Sequence, residues 1–141
     1  MLLTETYDWQ TVAFSARASG SRSYTCSVPE IGIFDVVTTD TTNSYNPITN
    51  TFTCPLSGVY MFTVSLVNID LEYGFGTIMH GTTRRASIDC YDGYVADSDR
   101  NQASNTVMFQ CEAGESVWVE IKCGSYLYGE IGTIFSGMLI Y

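Results

Sequence analysis

The sequence predicts an all-β sandwich or jelly roll, folded as a single domain over residues 1–141, and three observations carry that expectation. Apolar residues recur with a period of two, the repeat of a strand that buries one face. Turn residues break the alternation at short intervals, as a set of antiparallel strands requires. Ten tyrosines, seven phenylalanines and abundant Thr, Val and Ile suit a pleated surface, while lysine occurs once, at Lys122. A long exposed helix normally draws on lysine and alanine together.

Residues 11–18 place Val12, Phe14, Ala16 and Ala18 on one face and stop at Ser19-Gly20-Ser21, a first strand and its turn. Residues 33–37 form a short buried run. Asn46-Pro47 marks residues 43–50 as a turn, because Asn bonds its own backbone and Pro presets φ. The strand resumes over 51–54 and turns again over 55–58. Residues 59–66 give the clearest strand: Tyr60, Phe62, Val64 and Leu66 share one face, and Val59, Met61, Thr63 and Ser65 the other. Apolar residues on both faces predict cover from two sides. Residues 106–111 and 116–122 read as a hairpin about Glu112-Ala113-Gly114-Glu115. Residues 133–141 close the domain as an alternating strand. No segment sustains a helical period, and nothing repeats at a fixed spacing.

Composition narrows the function. With 45% apolar and 15% charged residues, the chain can bury a core and is no disordered tail. Six basic residues against fifteen acidic ones leave a net charge of -9 and no basic stripe for a phosphate backbone. Nucleic acid is therefore not an expected partner, and an anionic membrane surface is disfavoured for the same reason. Cationic ligands, metal ions and neutral glycans stay open. The longest apolar stretch, residues 58–66, is too short to span a bilayer, so membrane insertion is not expected. The opening Met1-Leu2-Leu3-Thr4-Glu5 lacks the basic start and long apolar segment of a signal peptide, so a secreted form is expected to have lost its leader.

Five cysteines, Cys26, Cys54, Cys90, Cys111 and Cys123, leave at least one unpaired or pairing between chains. Cys111 sits beside the turn and Cys123 at the far end of the returning strand, roughly 20 Å away, so a bridge between them is not expected. No pair is spaced Cys-x-x-Cys and the single histidine is His80, which argues against the usual structural zinc sites. His80 has no nucleophile in a recognisable motif, and no glycine loop is built to cradle phosphate. The chain reads as a binding module, not an enzyme.

Phe34, Asp40, Tyr45, Phe52, Gly58, Tyr60 and Phe62 carry the spacing of a known signature, with Val64 in place of its last aromatic. Val12-Ala13-Phe14-Ser15-Ala16-Arg17, Phe52-Thr53-Cys54-Pro55, Asn101-Gln102-Ala103-Ser104 and Gly114-Glu115-Ser116-Val117-Trp118 extend the match, and Phe135 to Tyr141 resembles the closing strand. On these residues the chain resembles the globular C1q domain family. The resemblance implies a jelly roll of about ten antiparallel strands, shared with tumour necrosis factor ligands, secreted and assembled as a homotrimer. It also implies that the aromatics Phe14, Tyr60, Phe62 and Phe135 divide between the protomer core and the threefold axis. The other reading has them fill the core alone.

Four carboxylates fall in residues 89–99, and some family members bind calcium in the corresponding region. No cofactor is required, but calcium is an optional ion, with Asp92, Asp97, Asp99 and Asn101 as its candidate ligands. Asn101 stands where those members carry a second Asp, which weakens the site, and a solvated acidic loop is the competing reading. Arg84 and Arg85 could grip an anionic sugar or a receptor carboxylate, or lie solvated at a strand end. Tyr126, Tyr128 and Glu130 could stack on and bond a sugar, or pack against a neighbouring protomer. Cys54 falls where family members often keep a buried, unpaired cysteine, and Cys90 where some form a bridge whose other half has no match here.

Two functions follow from the resemblance. The first is a lectin-like pattern-recognition protein of innate immunity that binds microbial glycans or lipopolysaccharide. The second is a hormone-like or synaptic-organiser ligand that clusters a cell-surface protein receptor. A concave polar pocket with tyrosines favours the first, and exposed aromatics on the trimer flank favour the second.

Overall fold

A computed structural model describes residues 11–24, 30–69, 73–91, 100–122 and 125–141. Thirteen strands appear among them, and no helix. They are β1 (Ala13–Ala18), β2 (Arg22–Ser23), β3 (Glu30–Ile31), β4 (Val36–Asp40), β5 (Tyr45–Asn46), β6 (Thr51–Thr53) and β7 (Gly58–Ile69). The second half adds β8 (Tyr73–His80), β9 (Thr83–Tyr91), β10 (Arg100–Cys111), β11 (Ser116–Ile121), β12 (Tyr126–Leu127) and β13 (Glu130–Leu139). One sheet runs β10-β7-β13-β1-β4. The other runs β5-β6-β11-β8-β9, with β3 also on β11, and β12 pairs with β2 apart from both. All pairings are antiparallel.

The period-two pattern decides which side chains enter the space between the sheets. On β1, Phe14, Ala16 and Ala18 are buried between half-buried neighbours, and on β11 Val117, Val119 and Ile121 do the same. Rings from both sheets meet in the middle. Phe14 of β1 stacks on Phe52 of β6 at 4.5 Å and meets Phe135 of β13 edge-on at 5.0 Å. Each such pair adds roughly 0.5–1.5 kcal/mol beyond the area it buries. Phe14, Tyr60, Phe62 and Phe135 all lie in this core. None of the four is left over for a threefold axis, because each occupies the inward phase of its strand.

Gly137 makes the ring cluster fit. It pairs with Phe14 on one side and Phe62 on the other, and a Cβ there would sit 2.6 Å from the Phe62 ring and 2.7 Å from that of Phe14. The glycine is a seat for two aromatics.

Residues 33–37 are a buried run only in part. Phe34 is buried, but the strand begins at Val36. Side chains instead satisfy the backbone just before it: Ile33 N–H donates to the Tyr24 hydroxyl, Phe34 N–H donates to Asn50 Oδ1, and the Tyr45 hydroxyl donates to Phe34 O at 2.7 Å. A buried backbone needs such partners when no neighbouring strand supplies them. Inside the turn at 43–50, Asp40 accepts from the N–H groups of Ser44 and Tyr45, and Asn46 Oδ1 accepts from Ile48 N–H. A short ladder of β5 on β6, Tyr45 opposite Phe52 and Asn46 opposite Thr51, closes that turn.

The hairpin expected about residues 112–115 is a corner between sheets. β10 pairs with β7 along its whole length, from Arg100 opposite Ile69 to Cys111 opposite Gly58. β11 pairs with β8, β6 and β3 in the other sheet. The turn is bonded to the segment after β6, Gly114 N–H to Cys54 O and Cys54 N–H to Glu115 O, which hands the chain across. Turn residues by themselves do not distinguish a hairpin from a corner, because both need the same tight reversal.

Candidate functional site

The outward face of the five-stranded sheet is the first surface of interest. Strand register sets Met108, Met61, Met138 and Ala13 side by side across β10, β7, β13 and β1. Met108 is 63% exposed and Met138 40%. The next row is a line of hydroxyls, Thr106, Thr63, Ser136 and Ser15, with Thr63 and Thr106 bonded through their oxygens at 2.8 Å. From Gln102 to Gln110 on β10, Val59 to Ser65 on β7 and Ile134 to Met138 on β13, no outward residue is charged. Ile140 and Tyr141 are exposed at the same end, where Val59 exchanges backbone bonds with both. Three flexible thioethers on an uncharged stretch of β10, β7 and β13 form a surface that packs readily on another protein.

The second surface is a corner where β8, β10 and the residue after β6 meet. His80 ends β8, and its side chain is 9% exposed. Arg85 donates to His80 Nδ1, from Nη2 at 2.9 Å and Nε at 3.3 Å. A guanidinium only donates, so Nδ1 is bare and Nε2 carries the ring proton, which points to Glu115 Oε1 at 3.1 Å. The imidazole stacks on Phe109 with centroids 4.9 Å apart, and the Arg85 guanidinium lies 4.7 Å from the same ring centre. The Glu112 N–H and the His80 ring hold the Glu115 carboxyl below the usual carboxylate range. Cys111 Sγ lies 3.7 Å from His80 Nε2.

Cys54 is not the unpaired cysteine that the family resemblance implies: it is disulfide-bonded to Cys111, across 57 residues of sequence. The two meet because β6 and β10 end at the same corner of opposite sheets, which no spacing in the chain reveals. The free thiol among the described residues is Cys90, buried against Gly74 O and Leu66 O. Burial, helped by Asp89, pushes that thiol up to about 11.

The other candidate residues are scattered. Asp92, Asp97 and Asp99 lie outside the described residues, whereas Asn101 is half-buried on β10 opposite Asn68. Arg84 is exposed opposite Met79, and Arg85, also exposed, bonds His80 and lies over Phe109. Tyr126 and Tyr128 are half-buried on either side of buried Leu127, and Glu130 opens β13. Beside Leu127 a hollow of about 70 Å³, reaching Arg22, Tyr24 and Asp35, is far smaller than the roughly 300–1,000 Å³ of ligand pockets. A more open hollow of about 520 Å³ lies at Asn43, Asn46, Pro47, Thr53 and Pro55. The methionine row was half-visible in sequence, through the outward phase of Met61. Its neighbours Met108 and Met138 join it only through strand pairing.

A family model for the C1q domain matches residues 13–140. Complement C1q tumor necrosis factor-related protein 5 of Homo sapiens is 30% identical over 133 residues, covering 92% of this chain and 53% of that protein. Complement C1q and tumor necrosis factor-related protein 9B of Homo sapiens is 26% identical over 113 residues, covering 77% and 32%. The chain thus spans about half the length of the first relative and a third of the second. Among solved structures, the globular domain of zebrafish complement 1qA superposes with a TM-score of 0.72 at 21% identity, covering 92% of this chain and 98% of that one. Eiger TNF from S. frugiperda superposes at 0.71 and 15% identity, covering 94% of each. Both share the jelly-roll fold.

Proposed function

The chain belongs to the C1q domain family, and from that premise we propose that it is the globular head of an extracellular, non-enzymatic ligand. It assembles as a homotrimer through the outward face of its five-stranded sheet and binds and clusters a cell-surface protein receptor. The observation that carries this reading is the row Met108, Met61 and Met138 on a stretch of β10, β7 and β13 that has no outward charge. Fully burying a methionine contributes roughly 1.5–3 kcal/mol, so copies of this chain gain most by covering that row. The Cys54–Cys111 disulfide suits an oxidising, extracellular compartment. The relatives named C1q tumor necrosis factor-related proteins lend their weight to a ligand rather than to a microbial lectin. Three receptor sites on one rigid trimer would raise avidity by roughly 10²–10⁴ over one site.

The test compares the native chain with Met108→Lys for binding to intact cells, to protease-stripped cells, and to an array of microbial glycans and lipopolysaccharide. The ligand reading expects binding that protease removes and that weakens in the variant. Binding to the array, together with cell binding that protease does not remove, would return the function to pattern recognition.

A further inference from the structure

Three ligand-type side chains converge outside the methionine face. His80 Nε2, Cys111 Sγ and a Glu115 carboxylate oxygen all lie within 4.8 Å of one another. Cys54 Sγ is bonded to Cys111 Sγ and so lies next to this group. Tetrahedral zinc holds sulfur at about 2.3 Å and nitrogen or oxygen at about 2.0–2.2 Å, which places neighbouring N and S ligands roughly 3.6 Å apart and N and O ligands roughly 3.4 Å apart. The corresponding distances here are 3.7 Å from His80 Nε2 to Cys111 Sγ and 3.1 Å from Nε2 to Glu115 Oε1. The two sulfurs are held at bonding distance, where zinc needs them about 3.8 Å apart.

We propose that reduction of the Cys54–Cys111 disulfide converts this corner into a zinc site with Cys54, Cys111, His80 and Glu115 as ligands. Two equivalents of a small thiol supply the electrons. The S–S bond breaks, each protein sulfur leaves as a thiol, and the reductant departs as its own disulfide. Zinc then displaces one proton from each thiol and takes both thiolates, the imidazole and the carboxylate. No cysteine pair is spaced for zinc in the sequence, because the four ligands come from three segments, with Cys54 and His80 each distant in sequence from Cys111 and Glu115.

The frame survives opening of the disulfide because backbone bonds hold it. Gly114 N–H to Cys54 O at 2.8 Å and Cys54 N–H to Glu115 O at 2.9 Å bind the two loops together. His80 is opposite Val117 in the β8–β11 ladder, and Gly81 N–H bonds Ser116 O beyond it. Glu115 is exposed, so an ion has a way in. Arg85 is the guard: its donation to Nδ1 keeps the ring proton on Nε2, the atom zinc needs, and it adds a positive charge. For metal to bind, the proton moves to Nδ1 and the exposed Arg85 swings off.

The test titrates cobalt(II), as a spectroscopic stand-in for zinc, into the chain carrying Cys26→Ser, Cys90→Ser and Cys123→Ser, oxidised or reduced with a dithiol removed under nitrogen. The expected result is one cobalt per reduced chain with a thiolate-to-cobalt charge-transfer band, displaced by zinc, and none in the oxidised chain. His80→Asn should weaken zinc by at least about tenfold, and Arg85→Ala should tighten it. Equal binding by the oxidised chain, cobalt bound without the thiolate band, or affinity unchanged by His80→Asn would each overturn the site. Should the triple-serine chain not fold, zinc-dependent melting of the reduced native chain replaces the titration. A rise in Tm that His80→Asn abolishes supports the site, and no rise, or one that the variant keeps, refutes it.

Discussion

Cys54, just past the end of β6 in one sheet, is covalently joined to Cys111, the last residue of β10 in the other. The bond closes a loop with 57 residues of separation at the corner where the chain changes sheets. In the chain-entropy account such a closure contributes about 4 kcal/mol by restricting the unfolded state. Replacing both cysteines with serine should therefore lower the free energy of unfolding by about 2–5 kcal/mol, read from urea melts without added metal. A variant as stable as the parent would mean the bridge restrains nothing that β10 and β6 do not already hold.

Gly137→Ala should cost about 1–3 kcal/mol, because its methyl enters the gap between the Phe14 and Phe62 rings and both must move. Chemical denaturation measures it directly. The φ of Gly137 is not among the positive ones, so strain in the backbone is not the cause. Adding Phe62→Leu should recover part of the loss, since it removes one of the two obstructing rings.

Met108→Lys should leave the fold intact, its side chain being 63% exposed, while breaking self-association. Light scattering is expected to give three times 15.6 kDa for the parent and 15.6 kDa for the variant. Identical masses for the two proteins would place the assembly surface elsewhere.

Tyr45 gives a pH dependence at the alkaline end. Burial first, then the Asp35 charge and Tyr24, raise its hydroxyl above the ordinary 10.0. The folded value lies above the unfolded one, so its contribution is whole below pH 10 and is lost as pH rises from there towards the folded value. Tyr45→Phe leaves Phe34 O without its donor and should cost about 1–3 kcal/mol at neutral pH. It should also flatten the loss of stability above pH 10, followed by circular dichroism alongside tyrosinate absorbance.

Cys90 should resist alkylation by iodoacetamide at pH 8 in the native protein and react once the chain is unfolded. Its thiol is buried and raised to about 11, leaving little thiolate. Peptide mapping by mass spectrometry separates it from the other four cysteines. Rapid native labelling at Cys90 would show that β9 opens easily.

The sequence by itself determined where most strands lie and which side of each faces inward. Period two is a local property, so Phe14, Ala16 and Ala18, or Tyr60, Phe62, Val64 and Leu66, declare their face without any partner. The signature from Phe34 to Phe62 identified the family for a similar reason: each residue fills one fixed post, as Asp40 does for the turn and Tyr45 for Phe34 O. Only the tertiary structure decided which strands are neighbours. That choice turned the expected hairpin at 112–115 into a corner, lined up Met61 with Met108 and Met138, and brought Cys54 to Cys111 beside His80. Each of these depends on the closure of long loops, set by how two whole sheets pack together, and no short window of sequence contains that information.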